Sequence, residues 1–124
     1  MAKTTPVLKE LKAAAKGLLF PSESDAPLEA FAWPGGDGPP DEAAVRANAK
    51  VEKDAPVQQL TVPDLTRTIP SESRGEFLHL FATLAHHLSG VTVFKVGEVN
   101  MDVYIVGRTT DGQYAGVKTQ VVET

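Results

Sequence analysis

The chain contains no cysteine. Disulfides, thiolate metal sites and cysteine nucleophiles are therefore excluded together. No apolar run approaches the ~20 residues that a membrane span needs, so a membrane is not an expected partner. The start, Met1-Ala2-Lys3-Thr4-Thr5-Pro6, lacks the apolar stretch of a secretory signal, and a cytoplasmic location is the expectation. There is no excess of basic charge. Twelve Lys and Arg face sixteen Asp and Glu, for a net charge of −4. That balance argues against direct nucleic-acid binding, which needs a basic face to displace counterions. It permits the converse role of docking onto a basic cleft that itself binds nucleic acid.

Catalytic signatures are missing as well. The chain has no Gly-x-Ser-x-Gly elbow and no glycine-rich phosphate loop ending in Gly-Lys-Ser/Thr. The three histidines, His79, His86 and His87, lie in one helical segment, away from its apolar stripe. Residues seven or eight apart on a helix are separated by ~10–12 Å along the axis, too far to share one ion. No His-Glu-x-x-His spacing occurs. No cofactor, no metal site of its own and no enzymatic activity are expected.

What remains is the composition of an ordinary globular protein. With 124 residues, 42% of them hydrophobic and 23% charged, a single domain over 1–124 is expected. Thr5-Pro6 is a good helix start, and Val7, Leu8, Leu11, Ala14, Ala15 and Leu18 recur at helical spacing before Gly17. Residues 28–33 read as a strand. Gly35-Gly36-Asp37-Gly38-Pro39-Pro40 breaks the chain, and Asp41 can cap a short alanine-rich helix to about Ala49. A strand is expected over 57–62, then a turn of helix and a loop over 63–70. Ser73-Arg74-Gly75-Glu76 has the form of a capping box. The helix that follows buries Phe77, Leu80, Phe81, Leu84 and Leu88.

Three strands complete the chain, over 91–96, 99–106 and 114–122, with a hairpin turn at Asp111-Gly112. In the middle strand Val99, Met101, Val103 and Ile105 point one way, and Tyr104 and Val106 the other. Apolar residues on both faces imply cover on both faces. The expected fold is α+β, a three-layer α/β/α sandwich with a C-terminal antiparallel hairpin. Trp33, which ends an apolar strand, is expected in the core.

The tetrapeptide Pro-Ser-Glu-Ser occurs twice, at 21–24 and 70–73. Each copy is expected to hold a glutamate, Glu23 or Glu72, at a loop tip between small neighbours. A carboxylate presented in that way can mimic a phosphate, although each of these residue types also suits a loop or a helix start.

At these residues the chain resembles the nuclease A inhibitor family. The resemblance runs through Gly17-Leu18-Leu19-Phe20-Pro21-Ser22-Glu23-Ser24-Asp25 and Leu28-Glu29-Ala30-Phe31-Ala32-Trp33, and through the landmark Asp54-Ala55-Pro56. It is most specific at Val96-Gly97-Glu98-Val99, Asp102-Val103-Tyr104, Ala115-Gly116 and Val121-Val122-Glu123-Thr124. Together these blocks cover about half of the sequence. The resemblance implies an α/β/α sandwich similar to the pathogenesis-related-protein fold. It also implies a partner, a sugar-nonspecific, metal-dependent nuclease that cuts DNA and RNA. In that family the glutamate of the Ser-Glu-Ser loop and the terminal threonine reach the enzyme's metal site. The matching positions are Glu23 and Thr124, with Glu72 as a flanking contact. One departure is plain: where the family has a tryptophan after the acid of its central loop, this chain has Ser73. The alternative left open is a protein-interaction module of the same fold with a non-nuclease partner.

Overall fold

The computed structural model describes residues 4–21, 25–36, 38–52 and 54–122. Four helices are described among them: α1 (Thr4–Ala15), α2 (Glu42–Asn48), α3 (Val62–Thr66) and α4 (Ser71–His87). Seven strands accompany them: β1 (Leu19–Phe20), β2 (Ala26–Pro27), β3 (Glu29–Trp33), β4 (Val57–Leu60), β5 (Ser89–Val96), β6 (Asn100–Arg108) and β7 (Tyr114–Val122). β1 and β2 form a two-stranded hairpin, and the other five strands make one sheet in the order β3-β7-β6-β5-β4. Every pairing is antiparallel. The fold is therefore α+β, and the C-terminal hairpin expected around Asp111-Gly112 is β6–β7. Its turn is closed by the Gly112 amide donating to the Thr109 carbonyl at 3.0 Å.

Alternation along the central strand divides the core in two. Met101, Val103 and Ile105 join a cluster with Val7, Leu11, Ala14 and Ala15 of α1, Leu65 of α3, and Phe77, Leu80 and Leu84 of α4. Tyr104 and Val106 join the other cluster, with Val45 of α2, Phe94, Val96 and Tyr114. A period of two on β6 therefore feeds two apolar clusters, each with helical partners. Val99 is the exception to the expected pattern. It precedes β6 and is 46% exposed.

The boundaries follow from local chemistry. α1 stops where Gly17 takes φ +80, a conformation that costs glycine little. The Asp41 side chain accepts from the Ala44 amide at 2.9 Å and caps α2 as expected. Arg46 then donates to the carbonyls of Glu52, at 3.2 Å, and Ala55, at 2.9 Å, which ties the following turn to α2.

Two expectations need correction. α4 begins at Ser71, two residues before the anticipated cap, and Ser73 lies inside its first turn. Pro70 is the N-cap and makes no side-chain cap bond. Its rigid ring sets the entry, and the Ser73 amide donates to the Pro70 carbonyl at 2.9 Å. The capping box sits one helix earlier. The Thr61 hydroxyl accepts from the Asp64 amide at 3.1 Å, and the Asp64 carboxylate accepts from the Thr61 amide at 3.2 Å. Hydrogen bonds from the Thr61 side chain and backbone, with the nearby Arg67, hold the Asp64 carboxyl below its ordinary range.

Candidate functional site

Glu72 is exposed in the first turn of α4, where a negative charge is favoured by the helix dipole. The expected loop tip is thus a helix start. The corner before it is firmly built. Ile69 is fully buried, and the Thr68 hydroxyl donates to the Leu65 carbonyl at 2.7 Å. From the second turn of α4, Arg74 reaches back with Nε 2.8 Å from the Ile69 carbonyl and an NH2 nitrogen 3.4 Å from the Arg67 carbonyl. Ser73, standing where the family has its aromatic, is half-buried.

Glu23 and Thr124 lie outside the described residues, but the segments that lead to them do not. β1 and β2 pair Leu19 with Pro27 and Phe20 with Ala26, so the Ser-Glu-Ser segment joins the two arms of a hairpin. Thr119 of β7 anchors that hairpin. Its hydroxyl lies 3.0 Å from the Pro27 carbonyl and 3.3 Å from that of Ala26. β7 ends at Val122, paired with Asn100 at the start of β6.

α4 meets the same hairpin. Its C-terminal flank, Leu88, packs against Gly107, where an added Cβ would meet the Leu88 Cβ at 2.8 Å. Gly107 is near the far end of β6. Eleven residues earlier, Phe77 meets Phe20 of β1 edge-on, with centroids 5.7 Å apart. Glu72 precedes Phe77 by five residues, roughly 7.5 Å further along the axis. The hairpin whose arms flank Glu23 is thus held between β7, at Thr119, and α4, at Phe77.

Beside the hairpin, the sheet face shared with α2 carries a different set of groups. Cross-strand partners share a face. Glu29, Lys118 and Tyr104 form one row across β3, β7 and β6, and Gln120 and Asp102 form the next. Tyr104 packs with Phe31 and Trp33, at centroid distances of 5.8 and 5.3 Å. Gly116 stands between Phe31 and Val106, and a Cβ there would lie 1.9 Å from the Ile105 carbonyl oxygen. Trp33 is half-buried against the second core cluster. Burial raises the Tyr104 hydroxyl above its ordinary pKa, and the charge of Asp102 adds to the effect.

His79 and His86 are exposed and His87 is half-buried, with the His86 and His87 rings 4.8 Å apart. Among the described residues, no group of three or more His, Asp or Glu could hold a metal ion. Sequence reasoning missed Thr119, Arg74 and the Glu29–Lys118–Tyr104 row. Only the alternation along β7 pointed to the last of these, and nothing local pointed to the first two.

Carboxylates presented from a rigid corner and beside a hairpin accept hydrogen bonds and bind cations. That is equipment for engaging another molecule's cationic centre. No curated protein sequence matches the chain. The family model described as "Nuclease A inhibitor-like protein" matches residues 5–124. The chain belongs to the nuclease A inhibitor-like family, whose proteins are nuclease inhibitors and not enzymes.

Proposed function

We propose that this chain inhibits a sugar-nonspecific, metal-dependent endonuclease of DNA and RNA, and that it blocks the enzyme's metal site with Glu23 and the C-terminal Thr124. Glu72 makes a flanking contact. A hard divalent cation seeks oxygen ligands, directly or through its waters. A carboxylate and a hydroxyl delivered there occupy the place of the scissile phosphate and prevent metal-assisted attack. The observation that supports this mechanism is the fastening of the β1–β2 hairpin, whose arms flank Glu23, to Thr119 of the C-terminal strand and to Phe77 of the helix whose first turn bears Glu72. The net charge of −4 suits a basic substrate cleft and predicts salt-sensitive association. The same reading takes the fold as a three-layer α/β/α sandwich similar to pathogenesis-related proteins, acting in the cytoplasm. Apolar clusters on alternate faces of β6 support the layering.

The test is titration of the purified chain into such a nuclease cutting plasmid DNA, with Glu23→Ala and a C-terminally extended form alongside. Stoichiometric inhibition by the native chain, weakened by about 2–5 kcal/mol in Glu23→Ala, is expected for a charged contact buried in the complex. Equal inhibition by all three forms removes the metal-site mechanism. Ser73 in place of the family aromatic favours a second reading, an interaction module with a non-nuclease partner. No inhibition by the native chain would select it.

A further inference from the structure

Asp102, Tyr104 and Gly116 belong to the most specific sequence blocks, yet the metal-site mechanism uses none of them. Asp102 and Tyr104 line a hollow of about 330 Å³ at the α2-side face of the sheet, together with Glu29, Lys118, Thr119 and Gln120. Ala26 and Pro27 of the hairpin close one side. The hollow is therefore continuous with the hairpin whose arms flank Glu23 in sequence.

Its chemistry selects a cation. Glu29 and Asp102 are exposed carboxylates on neighbouring strand rows. The Gln120 amide donates to Asp102 Oδ1 at 3.3 Å, which orients that carboxylate and leaves its other lone pairs for a further donor. Tyr104 supplies an aromatic wall held by Phe31 and Trp33, and an aromatic ring beside carboxylates suits a guanidinium or ammonium group. Against this stands Lys118, exposed in the same row as Glu29. Among the described residues neither Glu29, Asp102 nor Lys118 is in an ion pair.

We infer that this hollow seats a basic side chain, Arg or Lys, from the rim of the bound nuclease's nucleic-acid cleft, with Glu29 and Asp102 as its acceptors and Tyr104 as its wall. The inference rests on the nuclease-inhibitor reading above and extends the contact surface from the metal site along the hairpin onto the sheet. Lys118 tunes it by opposing the incoming charge. Substitutions of opposite sign must therefore act in opposite directions.

The experiment measures association and dissociation rates of the full chain with the sugar-nonspecific, metal-dependent nuclease of the same organism, at two salt concentrations. Glu29→Gln with Asp102→Asn is expected to weaken binding about tenfold or more, mostly through slower association at low salt. Lys118→Glu is expected to tighten it by a few-fold, a gain that damage to the fold could not produce. All three positions are exposed, and unchanged thermal melts check the fold. If Glu23→Ala weakens binding while neither hollow variant moves it, the hollow is not a contact and the metal-site reading survives. A native chain that does not bind the nuclease overturns both.

Discussion

Thr119 gives the sharpest way to test whether the hairpin is held where the inhibitory mechanism needs it. The arms of the hairpin are two residues each, too short to be stable alone. Among the described contacts that fasten it are Phe20 against Phe77 and the hydroxyl of Thr119, shared between the carbonyls of Pro27 and Ala26. Thr119 is 6% exposed, so valine fits its space and removes only the donor. Such a bond is worth about 1 kcal/mol net, because the partner carbonyls lie near the surface and regain water. An unfolding entropy of about 2.1 cal/mol/K per residue gives roughly 0.26 kcal/mol/K for this length. The melting temperature of Thr119→Val should then fall by about 4 °C. If the hairpin positions the Glu23 loop, inhibition should weaken by roughly fivefold, the same 1 kcal/mol expressed in binding. Differential scanning calorimetry and nuclease titration read the two effects, with Thr119→Ser, which keeps the hydroxyl, retaining most of both. A valine variant that melts and inhibits like the native chain would refute the reasoning.

Asp41→Ala removes the cap of α2 and should cost about 1 kcal/mol, seen as a lower melting temperature with inhibition unchanged. Tyr104 has a raised folded pKa, so the folded state keeps its proton longer than the unfolded chain. Its contribution to stability is full below the ordinary value of 10.0 and is lost as pH rises through the folded value. Melts across that alkaline range should show this fall, and Tyr104→Phe should lose that component. Ser73→Trp restores the family's aromatic at a half-buried position whose backbone bond to Pro70 does not depend on the side chain. A hot-spot aromatic worth about 2 kcal/mol should tighten nuclease binding by roughly thirtyfold, and unchanged affinity would mean that the partner has no pocket for it.

Much of the fold was legible because it rests on periodicity and punctuation. The three C-terminal strands, the Asp111-Gly112 turn, the Asp41 cap and the apolar stripe of α4 all express local rules. The errors came where two local rules compete. Ser73-Arg74-Gly75-Glu76 fits a capping box, but Pro70 fixes an extended N-cap three residues earlier and Ser73 is drawn into the helix. Thr61-Val62-Pro63-Asp64 has an aspartate at the third helical position, and there the reciprocal bonds do form. The β1–β2 hairpin was illegible for another reason. Two-residue strands, one ending in proline, carry no period, and the second is bonded to Thr119, more than ninety residues away in sequence. Glu72 was found by its tetrapeptide, but its helical setting was not.

The two copies of Pro-Ser-Glu-Ser show how one tetrapeptide takes different supports. At 70–73 the proline opens a seventeen-residue helix, and Arg74 binds the preceding corner to it. The copy at 21–24 runs beyond the described residues after Pro21, and the strands on either side of it, β1 and β2, are paired and fastened to the central sheet. Both supports trace back to strands and helices that bury the main core, since Phe20, Ile69 and Phe77 are all in it. An inhibitor must order its contact groups before it meets the enzyme, because ordering them on binding subtracts from affinity. The C-terminal strand β7 is flanked by β3 over Tyr114–Lys118 and by β6 along its whole length. The long β6–β7 ladder, paired from Arg108 and Tyr114 to Asn100 and Val122, is what carries that order outward to the last two residues' point of departure.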